Sequence, residues 1–462
     1  MLKKIIKYIP GVAIPMVINF ILTLLYAGYL EPGEYGILSI YLNTIQIIYA
    51  ATVSIFQNAS LRFYSLKDEY NDEAEFVSTY ILASLVTTIF LLPILYIANL
   101  IRHFNWWIIA LSVGFNGLFQ ILCNLYRVKA QSKHYNVIRT TAAVISLVVL
   151  FGFSRVINPM GYIWPIVAVY GSYGLISIYE LVAIRHNISI KFFSVRLIQN
   201  SLKYGFPLIG VALLGYIIAN SDQYFLLYFL GEEAVGNYAL GHRLVDALVA
   251  NLLTMILLVM TPELNRIHDE LGELQSKEVL KKMINAALWI IFPLSLAIIV
   301  YAEPIIQYVF PAYTSAAQIM QLVVFASMFH GISMFTCKGL ELVKHPKYVF
   351  YGLLIAAFIN CAYNWLFIPI YGINASAHSS LIAYITYNAL LIFFTKKYYD
   401  LRFDIIYLLK VILVSAGTVG IALLIMALKP ISSIWVLLLE GIVSVILYFG
   451  GSYLLGLLKV FR

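Results

Sequence analysis

The sequence predicts an all-α, polytopic membrane protein of about 14 transmembrane helices, built as two six-helix lobes plus two C-terminal helices. Three observations carry that prediction. Of 462 residues, 62% are hydrophobic and 11% charged, with a mean hydropathy of +0.89. An ordinary soluble domain holds about 25% charged residues, and a soluble globule could not cover so much apolar surface. The apolar residues fall in long runs without strand-type alternation, which favours helices over a barrel. Lysine and arginine collect on alternate loops, as the positive-inside rule requires.

A spanning helix needs about 20 mostly apolar residues. Fourteen stretches qualify: roughly 8–30, 35–60, 76–99, 106–126, 138–155, 160–183, 204–230, 236–261, 284–309, 315–337, 348–369, 373–394, 406–428 and 433–457. The stretch 138–155 is the shortest, and the last pair could be peripheral. The opening run is too long for a signal-peptide core and ends in Glu31-Pro32 without a small-residue cleavage site, so it reads as a retained helix. With the N-terminus in the cytoplasm, 26 of the 30 Lys and Arg residues fall on the inner side. Arg102, Arg155 and Lys429 fall outside, and Arg243 lies within a span. The net charge of +8 therefore faces anionic lipid and implies no nucleic acid. The mixed-charge stretch 262–283 reads as a surface helix joining two halves of a bundle.

An internal repeat organises these spans. LEPGEYG at 30–36 and LGEEAVG at 230–236 follow the first and seventh spans. YRVKAQSKHY at 126–135 and GLELVKHPKY at 339–348 follow the fourth and tenth. INPMGY at 157–162 and IPIYGI at 368–373 follow the fifth and eleventh. The common order gives lobes at 1–200 and 201–400 with two additional helices at 401–462. A six-helix unit repeats with the same orientation, which is a transporter arrangement with its site near mid-membrane.

Charges inside spans are costly, at about 2.5–3.5 kcal/mol each on insertion scales. Asp222 and Arg243 each lie roughly 15 Å along their helices from the loop near Glu233, at matching depth, and could pair. His242, Arg243 and Asp246 share one arc of the eighth span. In the second span Asn43, Gln46, Ala50, Ser54 and Gln57 form a polar or small stripe, with Asn19 in the first span. Arg62 lies near the cytoplasmic end of the second span. Each feature has a structural alternative: an ion pair holding a hairpin, amide glue between helices, a core histidine, or arginines that set topology. Cys123, Cys337 and Cys361 sit in apolar runs without disulfide or metal spacing.

The motifs LEPGEYG, SLRFY, YRVKAQSKHY, LKYGFPLIG, SDQYFLLYFLGEEAVGNYALGHRL and NWLFIPIYGINASAH resemble the polysaccharide-biosynthesis flippases. These belong to the multidrug/oligosaccharidyl-lipid/polysaccharide exporter superfamily, and the resemblance runs over the first twelve spans. It implies a flippase moving an undecaprenyl-pyrophosphate-linked oligosaccharide, the repeat unit of an O-antigen, capsule or exopolysaccharide, from the inner to the outer leaflet. It implies a bacterial cytoplasmic membrane, and a polysaccharide polymerase and export machinery as further partners. Arg243 and Arg62 are the positions that best match a cationic cavity for the pyrophosphate. Gln223 stands where family members often carry Arg, which removes a positive charge beside Asp222. His242, Asn19, Asn43, Gln46, Gln57, Asn220 and Gln223 complete the candidate substrate-binding set. Asp222 and Asp246 are candidates for ion coupling or a cavity ion pair.

No cofactor is expected beyond a coupling H⁺ or Na⁺, and no phosphate-binding G-x-x-x-x-G-K-[ST] loop is present. Two rivals stand beside the flippase. A multidrug exporter of the same superfamily would use Asp222 and Asp246 toward cationic drugs. A membrane polymerase or ligase would need a catalytic outer loop, and the short outer segments hold only scattered charges.

Overall fold

Breaks in the helices help to set where polar groups lie. A computed structural model describes residues 10–64, 73–101, 104–156, 161–399, 404–428 and 434–461. Lys3, Lys4, Lys7, Lys67, Arg102, Arg402, Lys429 and Arg462, used above for the charge map, lie outside the described residues. The helices are α1 Pro10–Tyr29, α2 Pro32–Ala51, α3 Ser54–Phe63, α4 Glu73–Ile101, α5 Trp106–Val128, α6 Ser132–Val156, α7 Ile163–Ala183 and α8 Val195–Leu230. They continue as α9 Glu232–Leu248, α10 Ala250–Leu271, α11 Glu273–Val309, α12 Ala316–Leu342, α13 Pro346–Tyr371, α14 Ile373–Tyr398, α15 Ile405–Leu428 and α16 Ile434–Leu454. Among the described residues twelve spans are long and apolar enough to cross a membrane, α9 and α10 together forming one of them, or up to 14 if each bent pair is one span.

The α2–α3 pair bends by 47°. At the bend Thr52 Oγ1 donates to Ile48 O (2.5 Å) and Ser54 Oγ to Ala50 O (2.7 Å). Hydroxyls that bond back to the preceding turn compete with the helical ladder and favour bending. Val53 at the bend is fully buried. A Cβ on Gly117 of α5 would lie 2.6 Å from Val53 Cγ1, so glycine there lets the two helices meet. Residues 195–206 and 208–230 of α8 meet at 44°, and position 207 between them is proline in the sequence.

The chain divides into two compact units, 1–216 and 217–462. The division falls inside α8. The stretch 262–283 corrects an expectation. It is the end of α10, a left-handed Gly272 (φ 91°) and the start of α11, and it lies wholly in the second unit. It therefore joins two spans of one unit and is no separate surface helix. Its charges pair locally, Arg266 with Glu263 and Glu270, and Lys277 with Glu273.

The repeat is written in backbone geometry. The turn after α5 and the turn after α12 each place one residue in the left-handed region, Ala130 (φ 57°) and Lys344 (φ 59°). Around them Gln131 N donates to Tyr126 O and His345 N to Leu340 O, both at 2.9 Å, closing matching helix C-terminal turns. The second span of the second unit is also interrupted, at Val249, and Thr254 Oγ1 bonds back to Ala250 O (2.9 Å) as Ser54 does to Ala50. Within the second unit the last two helices pack on α11: Trp289 Nε1 donates to Ser452 Oγ (3.0 Å), and Tyr448 OH to Trp289 O (2.6 Å). Large apolar side chains such as Phe90, Phe358, Phe393 and Trp435 stand on the outer faces, where lipid would cover them.

Candidate functional site

Asp222, on α8 in the second unit, is fully buried. Its Oδ2 accepts from Tyr238 OH and Ser380 Oγ, each at 2.6 Å. Its Oδ1 accepts from Asn364 Nδ2 (2.6 Å) and Ser379 Oγ (3.3 Å). Four neutral donors thus take up the carboxylate, in place of the Arg243 partner expected from matching depth. Hydrogen bonds to charged groups are worth about 1.5–3 kcal/mol each, so four of them offset an insertion cost of about 2.5–3.5 kcal/mol. The donors come from helices far along the chain, α13 and α14, and from one turn of α9.

The surroundings extend the cluster. Asn364 Nδ2 lies 3.3 Å from Asn360 Oδ1, Ser221 Oγ donates to the same oxygen (2.7 Å), and Asn360 Nδ2 donates to Ser379 Oγ (3.2 Å). Asn364 Oδ1 is buried with no hydrogen-bond partner among the described residues. Half a turn of that amide would bring a second oxygen toward Asp222, so the pair can present two acceptors to a proton or small cation. Among the described residues no three His, Cys, Asp or Glu side chains are grouped to hold a metal ion.

A second polar group lies along α9. His242 Nδ1 is 3.1 Å from Asp246 Oδ2, and Ser327 Oγ of α12 donates to Asp246 Oδ1 (3.0 Å). The shared face read from the sequence is therefore real for His242 and Asp246. Tyr238, His242 and Asp246 are four residues apart and stack on one side of the helix. A Cβ on Gly241 would meet Ala316 O at 2.8 Å, so this glycine lets α9 close on the start of α12. Nearby, His330 stacks on Tyr384 with ring centroids 4.7 Å apart.

In the first unit, Gln46 Nε2 donates to Tyr170 OH (3.2 Å), and Gln57 accepts from Tyr49 OH. Arg62 is exposed, with its guanidinium 5.1 Å from the Tyr204 ring centre. Asn19 is exposed, whereas Asn43 is buried. Asn220 is half-buried, Gln223 is buried, and Arg243 is half-buried. The structure brings together Asp222 with Tyr238, and His242 with Asp246. It also reveals partners that sequence reasoning missed: Asn360, Asn364, Ser379 and Ser380. Their signal was present as Asn at positions four apart in the eleventh span and a serine cluster opening the twelfth.

Another missed group is Glu180, buried at the end of α7. It accepts from Tyr126 OH and lies 3.0 Å from His134 Nε2, so it ties α5, α6 and α7 together at one end.

Comparison with known proteins gives this geometry a context. The chain matches a lipid II flippase MurJ in an inward closed conformation with a TM-score of 0.74 at 17% identity, over 96% of this chain and 97% of that one. It matches an inward-facing multidrug resistance MATE family transporter of the MOP superfamily with a TM-score of 0.65 at 13% identity, over 85% and 98%. Those likenesses show a shared fold and, with the long apolar helices, support a multi-pass membrane protein. An uncharacterized membrane protein of Methanocaldococcus jannaschii is 30% identical over 220 residues, which is 46% of this chain and 42% of that protein. The chain thus aligns with less than half the length of that relative. The family described as "Polysaccharide biosynthesis protein" matches residues 25–318, well over half of the sequence, and the chain belongs to that family.

Proposed function

We propose that this protein is a flippase that moves an undecaprenyl-pyrophosphate-linked oligosaccharide from the inner to the outer leaflet by alternating access. The observation that carries the reading is the set of polar side chains on the second span of each unit. Gln46 and Gln57 lie in one, and His242, Arg243 and Asp246 in the other, all within bilayer-length helices. Hydrocarbon cannot solvate such groups, so they serve a polar passage or one another. A sugar–pyrophosphate headgroup cannot cross hydrocarbon unaided and needs such a passage.

Arg243 and Arg62 bind the pyrophosphate, because the planar guanidinium matches phosphate oxygens in pairs. Asn19, Gln46, Gln57, Asn220 and His242 contact sugar hydroxyls. Asn43 and Gln223 act from the interior by holding their neighbours. Asp222 carries the coupling cation, H⁺ or Na⁺, and no nucleotide is hydrolysed. The protein works in a bacterial cytoplasmic membrane with both termini in the cytoplasm, and hands its cargo to a polymerase and export machinery.

The test is a lipid extract from cells lacking the gene, with the linked glycans sized and assigned to a leaflet. Complete units trapped on the inner leaflet are expected. Truncated glycans would point to an assembly enzyme, and complete units on the outer leaflet to a later step. A multidrug exporter is the second reading, favoured by the likeness to multidrug transporters over 85% of the chain and by the anionic Asp246. An unchanged lipid profile with sensitivity to cationic drugs would establish it.

A further inference from the structure

A polar seam in the second unit leads away from Asp222. On α9, Tyr238, His242 and Asp246 succeed one another at four-residue spacing. On α14, Ser380, Tyr384 and Asn388 do the same. Eight residues of helix cover about 12 Å. At one end Tyr238 OH and Ser380 Oγ both bond Asp222, which is fully buried. At the other, the Asp246 side chain is 37% exposed and the His242 side chain 13%. A half-buried carboxylate inside a span is met by water where protein does not cover it, since lipid would not solvate it. The ring of Tyr238 lies 5.7 Å, centre to centre, from that of His242. The titratable and charged groups around His242 are Asp246 and Arg243 on its own helix, Asp222 and Tyr238 toward the buried end, and His330 and Tyr384 across from it.

We infer that this seam is the route by which a proton reaches Asp222, with the His242–Asp246 pair as its water-facing acceptor and Tyr238 as the link. The inference rests on the reading of Asp222 as the coupling position and identifies the cation as H⁺. The seam is lined by imidazole, phenol and hydroxyl groups, which pass protons. A hard alkali cation seeks several oxygen ligands instead and gains little from imidazole nitrogen.

The transfer balances without any redox step. Hydronium in the water beside Asp246 gives a proton to His242, whose charge Asp246 compensates. Through one bridging water, His242 gives up a proton toward the Tyr238 hydroxyl oxygen and returns to neutral. Tyr238 releases its own hydroxyl proton to Asp222 Oδ2. The carboxylate ends as a neutral acid, and Tyr238 re-forms the same bond by rotating its hydroxyl.

The experiment uses the full chain in nanodiscs and infrared spectroscopy after a downward pH jump. A carboxylic acid carbonyl band that vanishes in Asp222→Asn reports protonation of that residue. The expected result is a band that grows with acid in the native protein. Its growth rate should fall about a hundredfold in both His242→Gln and Tyr238→Phe, the scale of losing a positioned proton-transfer group. An unchanged rate in both variants overturns the seam and leaves Asp222 as the coupling position. A native protein with no such band, or one in which NaCl at constant pH suppresses it, overturns the proton assignment. If one variant fails to fold, the rate in the other decides.

Discussion

At positions 200 residues apart, the two units carry opposite chemistry on the same backbone plan. Leu22 and Leu38 of the first unit are each 1% exposed; their counterparts in the second, Asp222 and Tyr238, are 0% exposed and hydrogen-bonded to each other. The interrupted second span, the back-bonding Ser54 and Thr254, and the left-handed turns at Ala130 and Lys344 are kept in both. The first unit instead places its buried carboxylate, Glu180, at a helix end with Tyr126 and His134. The comparison teaches that the repeat maintains where helices bend and turn, while each unit holds its own ionisable group.

The largest way to break this difference is Asp222→Leu, which gives the second unit the first unit's chemistry. It leaves buried Tyr238 and Ser380 without the carboxylate that accepts from them, while Asn364 and Ser379 keep bonds to Asn360 Oδ1 and Ser376 O. A buried unsatisfied group costs about 1–3 kcal/mol, so the two together cost about 2–6 kcal/mol, a large part of the roughly 5–15 kcal/mol that holds a domain folded. The expected outcome is loss of folded protein in size-exclusion chromatography. Asp222→Asn should remain folded but accumulate inner-leaflet glycan, as read by leaflet-resolved lipid analysis.

Next is the reverse graft. Leu38→Tyr in the first unit overpacks a buried position, at about 1–3 kcal/mol, and buries a hydroxyl beside Leu22. Adding Leu22→Asp supplies an acceptor. A thermal-unfolding double-mutant cycle should show the pair less destabilised than the sum of the single changes. Additive losses would mean that the two positions do not face each other as Asp222 and Tyr238 do.

Glu180→Ala in the first unit should cost about 1–3 kcal/mol, because buried Tyr126 OH loses its acceptor. Glu180→Gln should recover most of that loss in the same unfolding assay. Full loss with Gln would show that the charge, rather than the acceptor, ties the three helices together.

The smallest effect belongs to Asp404, which lies outside the spans and away from the contrast. Its Oδ1 accepts from Tyr407 N (3.0 Å), capping α15, and Lys281 lies 3.2 Å from its Oδ2. The Tyr407 N–H first, and the Lys281 charge after it, hold the Asp404 carboxyl below the usual carboxylate range. Because the folded value is depressed, the stabilisation is present above the ordinary carboxylate range and is lost as pH falls through the depressed value. Asp404→Asn keeps the cap, since Asn and Asp cap about equally. It should shift unfolding by less than about 0.5 kcal/mol at neutral pH, and it should flatten the acid limb of a stability–pH curve.

Much of the fold was legible from residues alone. The apolar runs gave fourteen spans, and the described helices occupy all of them. The candidate site was legible only in part. His242 and Asp246 were read as one face because they are four residues apart on one helix. A hairpin is the longest-range geometry that spacing can supply, and it offers Arg243 as a partner that Asp222 could take. Its real partners Asn364, Ser379 and Ser380 lie 142 to 158 residues away.

The sequence by itself determined the spans, the bias of positive charge to alternate loops, the repeat and the presence of costly ions within the spans. Each follows from transfer free energies and helical period, which act on every residue in place. Only the tertiary structure decided which donors meet the Asp222 carboxylate, where α8 divides between the two units, and that Glu180 ties three helix ends. A hydrogen bond needs two groups within about 3 Å. Helix packing sets that distance, and no property of either residue alone contains it.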